Sequence, residues 1–315
     1  MSVGFEDLLA ASRRIADCVH VTPVMTSTLL DELTGCRLSF KCENLQRTGA
    51  FKVRGAHNAV LSLSSQARQN GVATHSSGNH AAALALAARH IGVPAFIAMP
   101  DNATSVKLAA VRAYGGNVSL CKPTLAAREE ALAELCERTG AAVIPPYDHP
   151  HVIAGQGTWA LEMSRQLALP PEIILAPVGG GGLLAGSAVA ARALWPGALV
   201  IGAEPSGADD ARRSLISGER QLQTSPDTLA DGLRTALGEC NFPLIRDHVD
   251  DILTADDASI IDSMRLLWTR MKLVVEPSAA VVLAVVLTYP TVFSGRRVAA
   301  VLSGGNVDID RLPWR

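Results

Sequence analysis

Short β-branched runs alternate with longer alanine-rich stretches along most of this chain, and that alternation admits few architectures. "GVATHS" (71–76), "PAFIAMP" (94–100), "NVSLC" (117–121) and "AAVIPP" (141–146) read as strands. Helices are expected over "NHAAALALAARHIG", "TSVKLAAVRAYG" and "TLAAREEALAELCERTG" between them. A second series places strands at "EIILAPVG" (172–179), "ALVIGAEP" (198–205) and "RRVAAVLSGG" (296–305). Strands joined through helices line up in parallel, so the pattern predicts an α/β fold of two open parallel-sheet domains. The break near "PPYDHPH" (145–151) predicts a domain crossing, with residues 71–148 as a small domain and 1–70 together with 149–315 as a large one. Strands of the second series end in glycine or a turn at their carboxyl ends, where open α/β sheets place ligands. The site is therefore expected in the cleft between the two sheets.

At 315 residues and 48% hydrophobic content the chain can bury a core of that size. A net charge of -2, 4% aromatic residues and no long basic run leave no electrostatic footprint for nucleic acid, so the expected partner is a small molecule. The cysteines at 18, 36, 42, 121, 136 and 240 form no CxxC pair and no His/Cys ligand spacing. They read as reduced core residues of an intracellular protein. The N-terminal "MSVGFEDLLAASRRIAD" mixes acids with Leu8, Leu9 and Ile15 at helical spacing, which predicts an amphipathic helix and no signal peptide. The longest apolar run, "AAVVLAVVL" (279–287), is about ten residues short of a bilayer span. A soluble, cytoplasmic protein with no membrane partner is expected.

In "ILAPVGGGGLLAG" an apolar strand runs into Gly179, Gly180, Gly181 and Gly182 and then into a helix beginning near Leu183. Four glycines let backbone approach a ligand closely, and a helix start adds partial positive charge, which together suit a phosphate. Two cofactors compete for that cradle. Gly180, Gly182 and Ala185 fit the GxGxxA spacing of a nicotinamide dinucleotide fold, with Glu204 about 20 residues on as the ribose-binding acid. That fingerprint should open the first βαβ unit, however, and here it follows Pro171 in mid-chain. It also leaves Lys52, between Phe51 and Val53 at a helix threshold, without a role. Pyridoxal phosphate would use that lysine: an amine forms a Schiff base with the cofactor aldehyde, and the ring accepts electrons from a carbanion.

The segments "RTGAFKVRGA", "SSGNHAAALA", "PVGGGGLLAG", "EPSGADD", "TLADGL", "VEPSAA" and "VLSGGNVD" follow one another in an order and spacing that resembles the fold type II (tryptophan synthase β-like) pyridoxal-phosphate enzymes. Within them the chain is similar to the serine/threonine dehydratases and the related serine racemases, from about residue 5 to 310. The resemblance implies that Lys52 is the Schiff-base lysine and that Phe51 packs beside the ring. It implies that Asn79 bonds the ring's 3-hydroxyl, and that Ser76, Ser77, Gly78, Asn79 and His80 hold the substrate carboxylate. It places the phosphate on Gly179 to Gly182 with Leu183, Gly232 and Glu276 near the ring, and Ser303 facing the pyridine nitrogen. A hydroxyl there does not enforce protonation of that nitrogen, which suits a short-lived carbanion and elimination. The Lys52 amine would take the α-proton and the β-hydroxyl would leave, giving a keto acid and ammonia. Ser77 corresponds to the serine that acts as acid and base on the opposite face in racemases.

Glu204, the Ala208 carbonyl and Asp210 correspond to a divalent cation site, and oxygen ligands suit Mg²⁺ or Ca²⁺. The same acids also read as an ordinary helix start at "DDARR". Arg128 corresponds to a racemase arginine that binds dicarboxylates; it also reads as a solvated helix-face cation. Ala50 replaces the serine that usually precedes the Phe-Lys pair, and Ala81 and Ala82 replace Gly-Gln, which is expected to reshape the pocket wall. His149 and His151 read as surface or core residues, since no third ligand is evident nearby. The chain ends at Arg315 soon after "SGGNVD", with no room for a regulatory ACT domain, so a catabolic role is expected.

The expected protein is a cytoplasmic homo-oligomer, a pyridoxal-phosphate ammonia-lyase acting on L-threonine, L-serine or 3-hydroxyaspartate. The alternatives are a serine/aspartate-type racemase, a hydroxyectoine-catabolic dehydratase or, in a different class, an NAD-dependent dehydrogenase.

Overall fold

The computed structural model describes residues 3–76 and 78–314. Its strands are β1 (Val24–Met25), β2 (Arg37–Cys42), β3 (Val72–His75), β4 (Ala95–Pro100), β5 (Gly116–Cys121), β6 (Ala142–Val143), β7 (Ile173–Pro177), β8 (Leu199–Pro205), β9 (Asp251–Ala255) and β10 (Arg297–Leu302). A six-stranded sheet runs β1-β2-β10-β7-β8-β9 and a four-stranded sheet runs β5-β4-β3-β6. All pairings are parallel except β1 against β2, so the larger sheet is mixed at one edge. The α/β class expected from the alternation is the class observed.

The strands expected from composition are present, with shorter ends. "AAVIPP" contributes only Ala142 and Val143, because Pro145 and Pro146 have no N–H to offer a ladder. Three strands carry no comparable local signal: β1, β2 and β9. In β2 the polar residues at 37, 39 and 41 break the apolar run, yet Lys41 is fully buried. Its ammonium donates to Glu162 Oε2 at 2.7 Å, to the Thr22 carbonyl at 2.7 Å and to Gln166 Oε1 at 2.9 Å. Beside it Arg54, also fully buried, forks onto Glu43 at 2.7 and 2.8 Å and onto Glu162 at 2.7 and 2.9 Å.

The helix Pro277–Thr288 is apolar on every side because it lies buried against the larger sheet. No described helix is long and apolar enough to cross a membrane. Only Cys36 and Cys42 are core cysteines; Cys18, Cys121 and Cys136 are half-buried and Cys240 is exposed, so the expectation of a core role fails for four of six. All six are free thiols.

Three helices meet at near-backbone contact through their glycines, with the Gln156 side chain set against Gly55 and accepting from its N–H at 3.2 Å. A methyl group added at Gly55 would stand 2.8 Å from the Val152 carbonyl oxygen, and one at Gly155 would stand 2.6 Å from Gly55 Cα. One at Gly186 would stand 2.5 Å from the Ile153 carbonyl oxygen. The helix Pro150–Gln156 is thus wedged between the helices Lys52–Ser62 and Gly182–Leu194 at backbone contact. Their first residues are Lys52 and the last glycine of the tetraglycine loop.

Candidate active site

A cleft of about 1010 Å³ opens between the carboxyl ends of the two sheets. Lys52 reaches it because its loop is lashed to the end of β10. Ala50 bridges Gly304, and the Phe51 N–H donates to the Ser303 carbonyl at 3.0 Å. The turn into this segment uses left-handed backbone at Thr48 and Gly49, and Lys52 then opens its helix. Its ammonium donates to the Pro146 carbonyl at 2.8 Å and stands 5.1 Å from the centre of the Phe51 ring. Burial lowers its pKa to about 8, against the opposing pull of Glu276.

Facing Lys52, the helix Asn79–His90 starts after Gly78 with no side chain capping its first N–H groups. Gly78 N–H reaches Ser76 Oγ at 3.3 Å, and the Gly78 Cα faces the Lys107 side chain. Asn79 is held from both sides: its amide donates to Glu276 Oε1 at 2.7 Å and accepts from Asn306 Nδ2 at 2.9 Å. His80 is buried, bonded to the Ile144 carbonyl at 3.0 Å and lowered to about 3 by burial, so it is a neutral fixture of the loop. Ser77 lies outside the described residues. Ala81 and Ala82 face the core under the smaller sheet, away from the cleft, so the expected effect on the pocket wall does not follow.

The tetraglycine forms the opposite rim, and the helix begins at Gly182, one residue before Leu183. A methyl at Gly179 would stand 2.8 Å from Leu233 Cα, and one at Gly182 would stand 3.0 Å from the Tyr147 carbonyl oxygen. Gly181 is left-handed at φ 92°, and no side chain caps the helix. Asn241 pins the loop by donating to the Gly180 carbonyl at 2.7 Å. Uncapped N–H groups on a backbone that admits no Cβ are what a phosphate requires. Leu183, Gly232 and Ser303 line the same cleft, and Gly232 N–H donates to Ser278 Oγ at 3.0 Å. Lys52, Asn79, the glycine loop and Ser303 thus surround one space whose donors suit an aldehyde, a hydroxyl, a phosphate and a ring nitrogen. The residues present fit pyridoxal phosphate.

Glu276 is buried, and burial together with Asp231 raises its carboxyl to about 7. Lys107, on the smaller sheet's helix Ser105–Ala113, forms an ion pair with Asp231 across the cleft. Burial disfavours the Lys107 ammonium, but Asp231 and Glu276 hold its pKa above the usual lysine value. Arg128 is half-buried on the cleft wall. Among the described residues it pairs with no carboxylate and only its own Thr124 carbonyl accepts from it, at 3.4 Å.

The second acidic group lies behind the glycine helix. Glu204 is fully buried and accepts from the N–H groups of Ala211 and Arg212, each at 2.9 Å. It caps a helix there, out of reach of a ribose in the cleft, which removes the dinucleotide reading of the glycine spacing. Asp210 accepts from the Leu237 N–H at 3.0 Å, while its buried Oδ1 has no partner among the described residues. Burial raises Glu204 to about 9 and Asp210 to about 6. Two buried acids and one orphaned oxygen beside Ala208 fit a hard divalent cation.

Tyr147, Lys107, Asp231, Asn241 and Asn306 were not anticipated. Tyr147 lay in a segment read only as a chain crossing, and Lys107 meets Asp231 across 124 positions, which no local pattern displays.

Residues 15–304 match the family described as pyridoxal-phosphate dependent enzyme. The beta-hydroxyaspartate dehydratase of Paracoccus denitrificans (strain Pd 1222) is 46% identical over 310 residues, covering 98% of this chain and 98% of the relative. The serine racemase of Dictyostelium discoideum is 44% identical over 315 residues, covering 99% of this chain and 97% of the relative. Among solved structures, maize serine racemase superposes with a TM-score of 0.96 at 41% identity, over 98% of this chain and 95% of that one. With the lysine, the asparagine and the glycine cradle gathered in one cleft, this chain belongs to the pyridoxal-phosphate dependent enzymes, in the fold type II group of serine/threonine dehydratases and serine racemases.

Proposed function

We propose that this enzyme dehydrates and deaminates 3-hydroxyaspartate, releasing the keto dicarboxylate and ammonia. The observation that carries the acidic substrate is Arg128, a cleft cation with no carboxylate partner among the described residues. The likeness to a beta-hydroxyaspartate dehydratase supports it. Bound pyridoxal phosphate supplies an aldehyde for the substrate amine and a ring that accepts electrons when the α-proton leaves.

The protein's own part follows from the geometry. Ser76 and the free N–H groups at the start of the Asn79 helix bind the α-carboxylate, and Arg128 binds the second carboxylate. Lys52 Nζ, aimed by the Pro146 carbonyl and with a pKa near 8, is a competent base at neutral pH for the α-proton. Asn79, fixed by Glu276 and Asn306, keeps one orientation throughout. The Lys107–Asp231 pair draws the smaller sheet over the cleft and limits water there. Ser77 takes the acid and base role wherever racemisation accompanies elimination.

The test is keto-acid release from purified holoenzyme against L-serine, L-threonine and the 3-hydroxyaspartate diastereomers, with chiral analysis of the remaining amino acid. One hydroxyaspartate diastereomer is expected to give the highest kcat/KM. Arg128→Ala should lower that value by roughly 10–100-fold, the worth of a charged hydrogen bond, while leaving L-serine turnover within about threefold. Equal losses on both substrates would remove Arg128 from substrate recognition. D-enantiomer accumulation without keto acid would move the enzyme to the racemase branch, for which the Dictyostelium relative is the precedent.

The reading extends to Mg²⁺ or Ca²⁺ on Glu204, the Ala208 carbonyl and Asp210. Either ion is expected to raise the Tm of chelator-treated holoenzyme by mass action. Asp210→Asn should abolish that shift; an unchanged shift in the variant would place the ion elsewhere.

A further inference from the structure

Away from the cleft, three side chains that no sequence spacing connects come together. Cys18 follows the N-terminal helix Phe5–Ile15, His57 lies on the Lys52 helix, and His90 ends the Asn79 helix. Their ligand atoms all lie within 4.8 Å of one another. His57 Nε2 and His90 Nδ1 are 2.9 Å apart, with the rings tilted at 52°. We infer that Cys18, His57 and His90 form a site for a borderline-soft divalent cation, Zn²⁺, distinct from the catalytic cleft and from the oxygen site at Glu204.

Three features support the assignment. The donor set is one sulfur and two imidazole nitrogens, which Zn²⁺ accepts and Mg²⁺ or Ca²⁺ do not. His57 donates from Nδ1 to the Val53 carbonyl at 2.9 Å, which turns Nε2 and its lone pair toward His90. Zinc-bound histidines are commonly oriented by such a bond from the other ring nitrogen to a backbone carbonyl. The burial is graded: His57 is fully buried, Cys18 half-buried and His90 exposed, so the site has a fixed floor and an open entrance. Burial lowers both imidazole pKa values.

Tetrahedral bonds of about 2.0 Å to nitrogen and 2.3 Å to sulfur place ligand atoms roughly 3.3–3.6 Å apart. The two imidazole nitrogens must therefore separate by about half an ångström and Cys18 Sγ must close in. The exposed His90 ring, at a helix end, has room to turn. Arg47, Arg89 and Asp17 are the charges that face the cluster. The two arginines oppose a dication, and ionisation of the Cys18 thiol on binding offsets part of that. Three ligands leave a fourth position for water.

The experiment is calorimetric titration of Zn²⁺ into chelator-treated holoenzyme with Mg²⁺ restored. One stoichiometric site is expected, and Cys18→Ser and His90→Ala should each weaken it by more than the roughly 10–100-fold typical of losing an outer-sphere partner. Both positions are at least partly exposed, and unchanged cofactor absorbance and turnover would verify that the variants fold. Cys240→Ser and His149→Ala control for adventitious sites and should leave the affinity unchanged. Co²⁺, read as a difference spectrum against holoenzyme, should give a thiolate charge-transfer band that Cys18→Ser removes. Absence of a stoichiometric Zn²⁺ site, or its survival in both Cys18→Ser and His90→Ala, would overturn the assignment.

Discussion

Lys52→Ala is expected to purify with no visible absorption that survives dialysis and to lose keto-acid formation by roughly 10⁴-fold or more. Lys52 offers the amine held by the Pro146 carbonyl, at the start of a helix whose preceding residue is tied to Ser303. Its removal takes away both the covalent anchor and the base, so the two losses should coincide. Lys107, the other cleft lysine, is engaged by Asp231 and cannot deputise. Lys52→Arg should behave the same way, since a guanidinium keeps the charge but is neither nucleophile nor base at neutral pH. Circular dichroism of the variant should stay close to the parent, while its Tm should match that of the cofactor-free parent. Retained colour or turnover would move the reactive amine elsewhere.

Arg54→Met is expected to produce the largest loss of stability. It leaves Glu43 and Glu162 buried with their main cationic partner gone, and breaking a buried pair from one side costs about 3–5 kcal/mol. At roughly 2 °C per kcal/mol for a chain of this size, Tm should fall by about 6–10 °C. Adding Glu43→Leu should recover part of the loss, because the orphaned charge rather than the lost pair is the larger cost. Activity per folded molecule should change less than stability, since Arg54 points away from the cleft. A Tm within a degree or two of the parent would mean that Lys41 alone satisfies both acids.

Those two residues also show what could be read in advance. Lys52 was legible through the resemblance that "RTGAFKVRGA" and the other segments carry, since a lysine at a helix start alone reads as a surface cation. The glycine loop was legible by itself, since backbone approach to a phosphate excludes Cβ at consecutive positions. The alternation of strands and helices sufficed for the central strands, which are apolar on both faces. Arg54 and Lys41 were not legible as core residues, because the acid they share, Glu162, lies 108 and 121 positions away. Strand β2 was hidden for that reason too: a charged residue in a strand signals solvent unless a distant acid is known. Cys18, His57 and His90 escaped likewise, because the fold rather than the spacing brings them together.

The glycine contacts among the Lys52 helix, the helix Pro150–Gln156 and the helix Gly182–Leu194 bear on how such an enzyme can change over time. Where glycine backbone meets backbone between these helices, any added Cβ would force them apart. The reactive amine and the phosphate cradle are therefore inherited as a single block. New substrate preferences in descendants, natural or selected in the laboratory, should accumulate on the wall that carries Arg128 and Lys107, and the block itself should tolerate almost no variation.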